Sequence, residues 1–203
     1  MTLLLPSRQE IADRLSDADA LARIGATAFD DEENWGARPG GPVAAAVLVP
    51  IIWHAEGPGV LLTLRSAKLS AHAGQVAFPG GRIEAGETAE AAALREAAEE
   101  VGLDPRLPVI AATLPDHMTG TGYRVTPVVA FLDPPVPLTP EPSEVQAVFE
   151  LPLALLFDPT APSRRSTEWR GRMREYWVWP HADHLIWGAT ATILMNLARV
   201  LRG

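Results

Sequence analysis

The chain has 203 residues, enough for one domain with a full core or one domain with extensions. A balance of 17 Lys and Arg against 25 Asp and Glu gives a net charge of −8. That argues against non-specific nucleic-acid binding, which wants a basic surface, yet leaves room for a polyanionic substrate where a bound cation and local arginines invert the field. With no cysteine there is no disulfide, thiolate metal site or thiol nucleophile, and 47% hydrophobic with 21% charged residues is an ordinary globular balance.

The opening MTLLLPSRQE carries only a short apolar run before a proline and charges. It reads as neither a signal peptide nor a spanning helix, so no membrane role is expected and the cytoplasm is the expected location. Residues 7–23 read as one or two short amphipathic helices with Ile11, Leu15 and Leu21 inward. Residues 25–42, rich in Gly, Asp, Glu and Pro, read as an irregular arm that packs or is disordered; a lid or dimer contact is the functional alternative. Residues 1–42 are thus expected to be an extension packed on a single domain spanning 43–203. A symmetric dimer is the default oligomer, though nothing in the sequence demands one.

Residues 43–53 form a nearly continuous apolar run, the pattern of a strand buried on both faces. Gly57-Pro58-Gly59 is expected to turn the chain into a second strand, Val60 to Leu64, giving a hairpin. The next stretch, residues 61–81, places the cations Arg65 and Lys68, the imidazole of His72, and Gly74, Gly80 and Gly81 between a strand and a helix. Taken singly, the cations are ordinary surface residues and His72 a structural histidine; together they lie where a sandwich fold gathers a ligand.

The helix is the most informative element. Thr88 can cap it, Glu90 sits at its positive end, Ala89 to Val101 are strong helix formers, and Gly102 can end it in the left-handed conformation. At 100° per residue, Leu94, Ala97, Ala98 and Val101 fall on the face expected to be buried, with Glu96, Glu99 and Glu100 opposite. Glu96 and Glu100, one turn apart, repel unless something offsets their charge. A solvated acidic face is the plain reading; a hard cation such as Mg2+, which prefers carboxylate oxygens, is the chemical one. Arg95 can hold a carboxylate through a forked bond, and Gly80 and Gly81 let backbone approach a ligand closely.

Beyond the helix, Pro108 to Leu114 reads as a strand, Pro115 to Gly122 as a loop in which His117 is a surface residue before it is a site residue, and Tyr123 to Leu132 as a strand. Pro127 suggests an edge or a bulge there. Residues 133–143 form a proline-rich connection into the strand-like EVQAVFEL; Leu151 to Phe157 is a short apolar helix or turn. Arg164, Arg165, Arg170, Arg172 and Arg174 lie on a hairpin with an exposed basic face. Trp187 to Leu201 is an amphipathic helix with Ile193, Leu194, Leu197 and Leu201 as its packing stripe.

The spacing G-x5-E-x7-R-E-U-x-E-E-x-G-U, with U apolar, is read here as Gly81, Glu87, Arg95, Glu96, Ala97, Glu99, Glu100, Val101, Gly102 and Leu103. It resembles the Nudix box at every fixed position. The resemblance implies an α/β fold, a Nudix-type α/β/α sandwich with a mixed β-sheet, and hydrolysis of a diphosphate linkage with Mg2+ or Mn2+. It implies Glu96 and Glu100 as main metal ligands, with Glu99 adding a ligand or a second ion and the Gly81 region a backbone carbonyl. An acidic residue outside the box often supplies a further ligand or the base; Glu144 is the candidate, Glu99 the second choice for base, and Glu141 or Glu150 could displace Glu144. Arg95 and Glu87 are expected to hold loop and helix in register.

Leu61, Leu62, Thr63, Arg65, Ser66, Gly74, Phe78, Pro79, Gly80 and Gly81 further resemble the signature of the coenzyme A pyrophosphatase branch. HLIWG-x-TA resembles the end of that branch, so the likeness spans roughly residues 43–200. Members yield 4′-phosphopantetheine and adenosine 3′,5′-bisphosphate. Ser70 departs from the signature, which has an arginine there; Lys68 offers a point charge instead of a fork. The resemblance also suggests the arginines of 164–174 as holders of the 3′-phosphate, with solvated surface as the plain reading. Another nucleoside diphosphate derivative such as ADP-ribose or NADH is the nearer alternative, and a non-catalytic nucleotide-sensing domain the distant one.

Overall fold

The long apolar run becomes the spine of a sheet. The computed structural model describes residues 5–27, 40–169 and 172–203, with backbone alone at 25–27, 169 and 172. In it, Val43–His54 is strand β1, paired on both edges. On one side lie β2 (Gly57–Arg65) and β4 (Gly80–Arg82), both antiparallel; on the other lies β7 (Tyr123–Leu132), parallel. β8 (Val145–Pro152) extends the sheet beyond β2, β3 (Val76–Ala77) pairs with the far end of β2 on the same edge as β1, and β5 (Val109–Thr113) and β6 (His117–Met118) pair with β7. One parallel pair among antiparallel ones makes the sheet mixed, as expected.

Alternate residues of β1 serve opposite cores. Ala46, Leu48 and Ile52 face helix α3 (Ala89–Val101), which buries Ala92, Ala93, Ala97 and Val101 against them. Ala45, Val49 and Ile51 face the other layer, where α1 (Arg8–Leu15) contributes Ile11 and Leu15. Helix α5 (Gly188–Arg202) adds Ile193, Leu194, Leu197 and Leu201 to the same layer. The result is a sheet between helical layers. Helices α2 (Ala18–Thr27) and α4 (Ala154–Phe157) flank α5, and β9 (Ser163–Trp169), β10 (Arg172–Trp179) and β11 (Ile186–Trp187) form a separate three-stranded sheet. Of the irregular arm expected over 25–42, residues 28–39 lie outside the described residues.

Three expectations need correction. The hairpin turn is Ala55–Glu56; Gly57, Pro58 and Gly59 already pair with His54, Trp53 and Ile52 inside β2. A Cβ at Gly59 would meet the Glu150 carboxylate, the movable end of a side chain. Pro127 does not mark an edge. β7 is an inner strand, and the register shift sits on its partner β5 between Ile110 and Ala112. β5 ends opposite Val128 and β6 begins opposite Val125, so Pro127 faces the gap between them, where a missing N–H breaks no ladder. Its carbonyl still accepts from the Leu114 N–H at 2.9 Å. Finally, His117 is buried, not a surface residue, and desolvation pushes its imidazole pKa down to about 4.

Candidate active site

Helix α3 begins and ends as its sequence dictates. Thr88 accepts from the Ala91 N–H at the N-cap, and Gly102 closes the C-terminus at φ 67°. The buried stripe, however, is rotated from the face expected. Leu94 and Ala98 are only half-buried, whereas Glu100 is 2% exposed and lies among Ala92, Ala93, Ala97 and Val101. A wheel that ranks Glu as solvent-seeking misplaces it, because the donors that make its burial tolerable come from elsewhere in the chain.

Those donors are Gly80 and Arg65. Glu100 Oε2 accepts from the Gly80 N–H at 3.1 Å, and Oε1 accepts from Arg65 Nη1 at 3.2 Å. Burial nonetheless dominates and raises the Glu100 pKa to about 7, opposed by the Gly80 bond and the Arg65 charge and assisted by the charges of Glu144 and Glu96. Gly80 cannot carry a side chain: a Cβ would stand 2.4 Å from the Ala46 carbonyl oxygen and 2.6 Å from the Val47 Cα. At Gly81 a Cβ would lie 2.4 Å from the Glu96 carboxylate. The glycine pair therefore brings bare backbone against both glutamates, with β4 held to β1 through Val47↔Gly80 and Ala46↔Gly81.

Arg95 organises the outer half of the cluster. Its Nε and Nη2 grip Glu87 at 3.0 and 3.1 Å, Nη1 reaches Glu96 at 2.9 Å and Glu99 at 3.3 Å, and Nη2 also donates to the Arg82 carbonyl at 3.0 Å. The fork raises the Arg95 pKa and lowers that of Glu87. Glu87 Oε2 additionally accepts from the Glu84 N–H at 3.0 Å. One guanidinium thus ties the loop after β4 to two successive turns of α3.

Glu144 stands in the turn just before β8. Its carbonyl accepts from the Ser66 N–H at 2.8 Å, and the Glu141 N–H donates to the Glu100 carbonyl at 2.9 Å, which fastens the loop to the end of α3. Exposed Glu144 therefore stands beside buried Glu100. Glu150 does not displace it: six residues further along the strand, roughly 20 Å away, it pairs with His54 at 2.9 Å. Glu141 is exposed and accepts from Ser143.

Arg65, Glu96, Glu99, Glu100, Glu144, Gly80 and Gly81 are thus brought together. Lys68 and His72 lie on the exposed loop that leaves Arg65, where His72, at φ 55°, pairs with Gln75 at 3.0 Å. The arginine hairpin belongs to the separate sheet. There Arg164 pairs with Glu175 at 2.9 Å and lies 5.0 Å from the Trp177 ring, Arg165 is exposed and Arg174 half-buried. Arg172 and Arg174 share a face in register, but Met173 opposite is 67% exposed, so exposure does not single out the basic side. Arg170 and the Arg172 side chain lie outside the described residues. Sequence reasoning named Ser66, whose backbone seats Glu144, only as part of a signature, and missed the Arg82 carbonyl that receives Arg95; both act through main-chain atoms, which leave no side-chain signal.

For divalent cations, the donor chemistry fits: the cluster is built of carboxylate and carbonyl oxygens, the ligands of a hard ion. Among the described residues no group of three His, Asp or Glu is arranged as a closed chelate; arginines and the Gly80 amide hold the glutamates instead.

A family model described as NUDIX domain matches residues 42–170. A protein of Escherichia coli K12, named as the uncharacterized Nudix hydrolase NudL, is 43% identical over 155 residues, covering 76% of this chain and 80% of its own. A relative of the same name from Salmonella newport is 41% identical over the same lengths. A solved MutT/nudix family protein from Enterococcus faecalis matches 96% of this chain and 74% of its own, with TM-score 0.52 and 18% identity, a likeness of fold.

Proposed function

The chain belongs to the NUDIX domain family, and on that premise we propose that it hydrolyses the diphosphate of coenzyme A or its derivatives. The observation that carries the chemistry is the meeting of Glu96 and Glu100 with the Gly80–Gly81 backbone and Arg65. The substrate class is supported by the run Leu61–Thr63, Arg65–Ser66, Gly74 and Phe78–Gly81.

A diphosphate repels nucleophiles by its charge. Glu96 and Glu100, with Glu99 and the Gly81 carbonyl as further ligands, would hold Mg2+ or Mn2+, which when bound would neutralise the diphosphate charge and acidify water. Arg65 keeps guanidinium donors beyond the one spent on Glu100 and directs them to a phosphate oxygen. Exposed Glu144, seated by the Ser66 amide, takes a proton from the attacking water, with Glu99 as second choice for this role. Water adds to one phosphorus, the bridging P–O bond breaks, and one water is consumed per pair of phosphate monoesters: 4′-phosphopantetheine and adenosine 3′,5′-bisphosphate. Arg95 and Glu87 keep loop and helix in register.

The test is a competition among coenzyme A, 3′-dephospho-coenzyme A, ADP-ribose and NADH, with products followed by mass spectrometry. Fastest release of phosphopantetheine from coenzyme A supports the reading. Faster cleavage of ADP-ribose or NADH discards the substrate and directs attention to Ser70, where an arginine would have contacted phosphate.

A further inference from the structure

The C-terminal helix lies outside residues 42–170 of the family match, yet one of its hydroxyls reaches the strand that leads into the glycine pair. Thr190, 7% exposed in the first turn of α5, donates to the Val76 carbonyl at 2.9 Å across 114 residues of sequence. We propose that Thr190 is a positioning residue for Gly80 and Gly81, acting through β3. The inference rests on the site reading above and extends it to a residue that touches neither substrate nor metal.

The carbonyls of Gln75, Val76 and Ala77 go alternately to β2 and to α5. The Gln75 carbonyl accepts from the Arg65 N–H at 3.0 Å, and the Ala77 carbonyl accepts from the Thr63 hydroxyl at 3.1 Å; both donors belong to β2. The Val76 carbonyl accepts from α5. β3 is only two residues long and pairs with β2 at Thr63↔Ala77 and Leu64↔Val76. Thr190 thus supplies a support for this short strand that the sheet does not. Phe78 and Pro79 follow, with Phe78 3% exposed and the Pro79 carbonyl accepting from the Leu48 N–H at 2.8 Å, and then Gly80 gives its N–H to Glu100. Arg65, paired to Gln75, gives its Nη1 to the same carboxylate. One donor to Glu100, Gly80, thus follows the segment that Thr190 holds, and the strand that carries the other, Arg65, is hydrogen-bonded to that segment. The N-terminal end of α5 is itself fixed, because the Trp179 indole N–H donates to the Ala191 carbonyl at 3.0 Å.

The experiment uses full-length protein labelled with 15N-glycine and followed by NMR in the absence of substrate. Thr190→Val keeps the side-chain volume and removes the donor; Thr190→Ala serves if valine is not accommodated. The Gly80 and Gly81 amide resonances move, and protection of the Gly80 amide from hydrogen exchange falls about tenfold. Thr190→Ser, which keeps the hydroxyl, stays at wild-type values, and Ile193→Val, which loosens α5 and keeps the Thr190 hydroxyl, leaves both resonances in place. With coenzyme A as substrate, kcat of the valine variant drops about tenfold or more while KM stays within twofold. Unmoved glycine resonances in Thr190→Val, or the same movement in Ile193→Val, would overturn the proposal. If the wild type leaves coenzyme A intact, the substrate reading fails and the glycine resonances still decide this one.

Discussion

Replacing Glu100 with Gln keeps the shape of a buried side chain and removes its titration. In the wild-type protein without divalent cations, burial raises the Glu100 pKa to about 7, against 4.5 for the free group. Between those values the folded state holds a proton that the unfolded state has released. Stability from this group is therefore fully present below pH 4.5 and is lost as pH rises through about 7. The separation corresponds to about 3 kcal/mol by pH 8, or roughly 6–12 °C in Tm for a chain of this length. Asp104, held near a pKa of about 2 by Arg106, and Glu87, lowered by Arg95, act in the opposite sense at acid pH and remain in the variant. The difference between wild type and Glu100→Gln isolates the one carboxyl. Thermal unfolding of chelator-treated protein, followed by circular dichroism from pH 5 to pH 8, should show the variant gaining on the wild type as pH rises. A difference that stays flat with pH would refute the burial argument for Glu100.

The glycine pair separates two kinds of damage. Gly80→Ala drives a Cβ into the Ala46 carbonyl and the Val47 backbone, and should cost about 2 kcal/mol or more in urea unfolding. Gly81→Ala meets only the movable Glu96 carboxylate, so it should fold with stability changed by less than about 1 kcal/mol while turnover falls about tenfold or more. His117, lowered by burial to about 4 from 6.5, destabilises the fold as pH falls from 6.5 towards 4. His117→Gln should remove up to about 3 kcal/mol of that acid-side loss, read from denaturant midpoints at each pH. Arg95→Lys trades a two-point grip on Glu87 for a point charge and should cut kcat by about tenfold or more with the helix retained by circular dichroism.

Helix α3 was legible because its signals lie in one continuous segment. The Thr88 cap, the Gly102 stop and the glutamates all follow from residues within reach of each other. The burial of Glu100 was not, since its partners stand 20 and 35 residues away at Gly80 and Arg65, and a helical wheel carries no such information. Pro127 misled for a similar reason: whether a proline marks an edge depends on where its partner strands end. His117 read as a loop residue because β6 is two residues long, too short for a periodic pattern. The WGATA segment announced a helix start and nothing of the bond from Thr190 to Val76, a tertiary contact spanning 114 residues.

The central claim is that the carboxylate cluster on α3 and its glycine loop hydrolyse a diphosphate. It is tested most directly by incubating wild type and Glu100→Gln with coenzyme A in 18O-labelled water, with Mg2+ or with chelator, and weighing the products. Wild type with Mg2+ alone should yield 4′-phosphopantetheine and adenosine 3′,5′-bisphosphate in equal amounts, with one labelled oxygen in one of the two. Equal turnover by Glu100→Gln, or turnover undiminished by chelator, would contradict it.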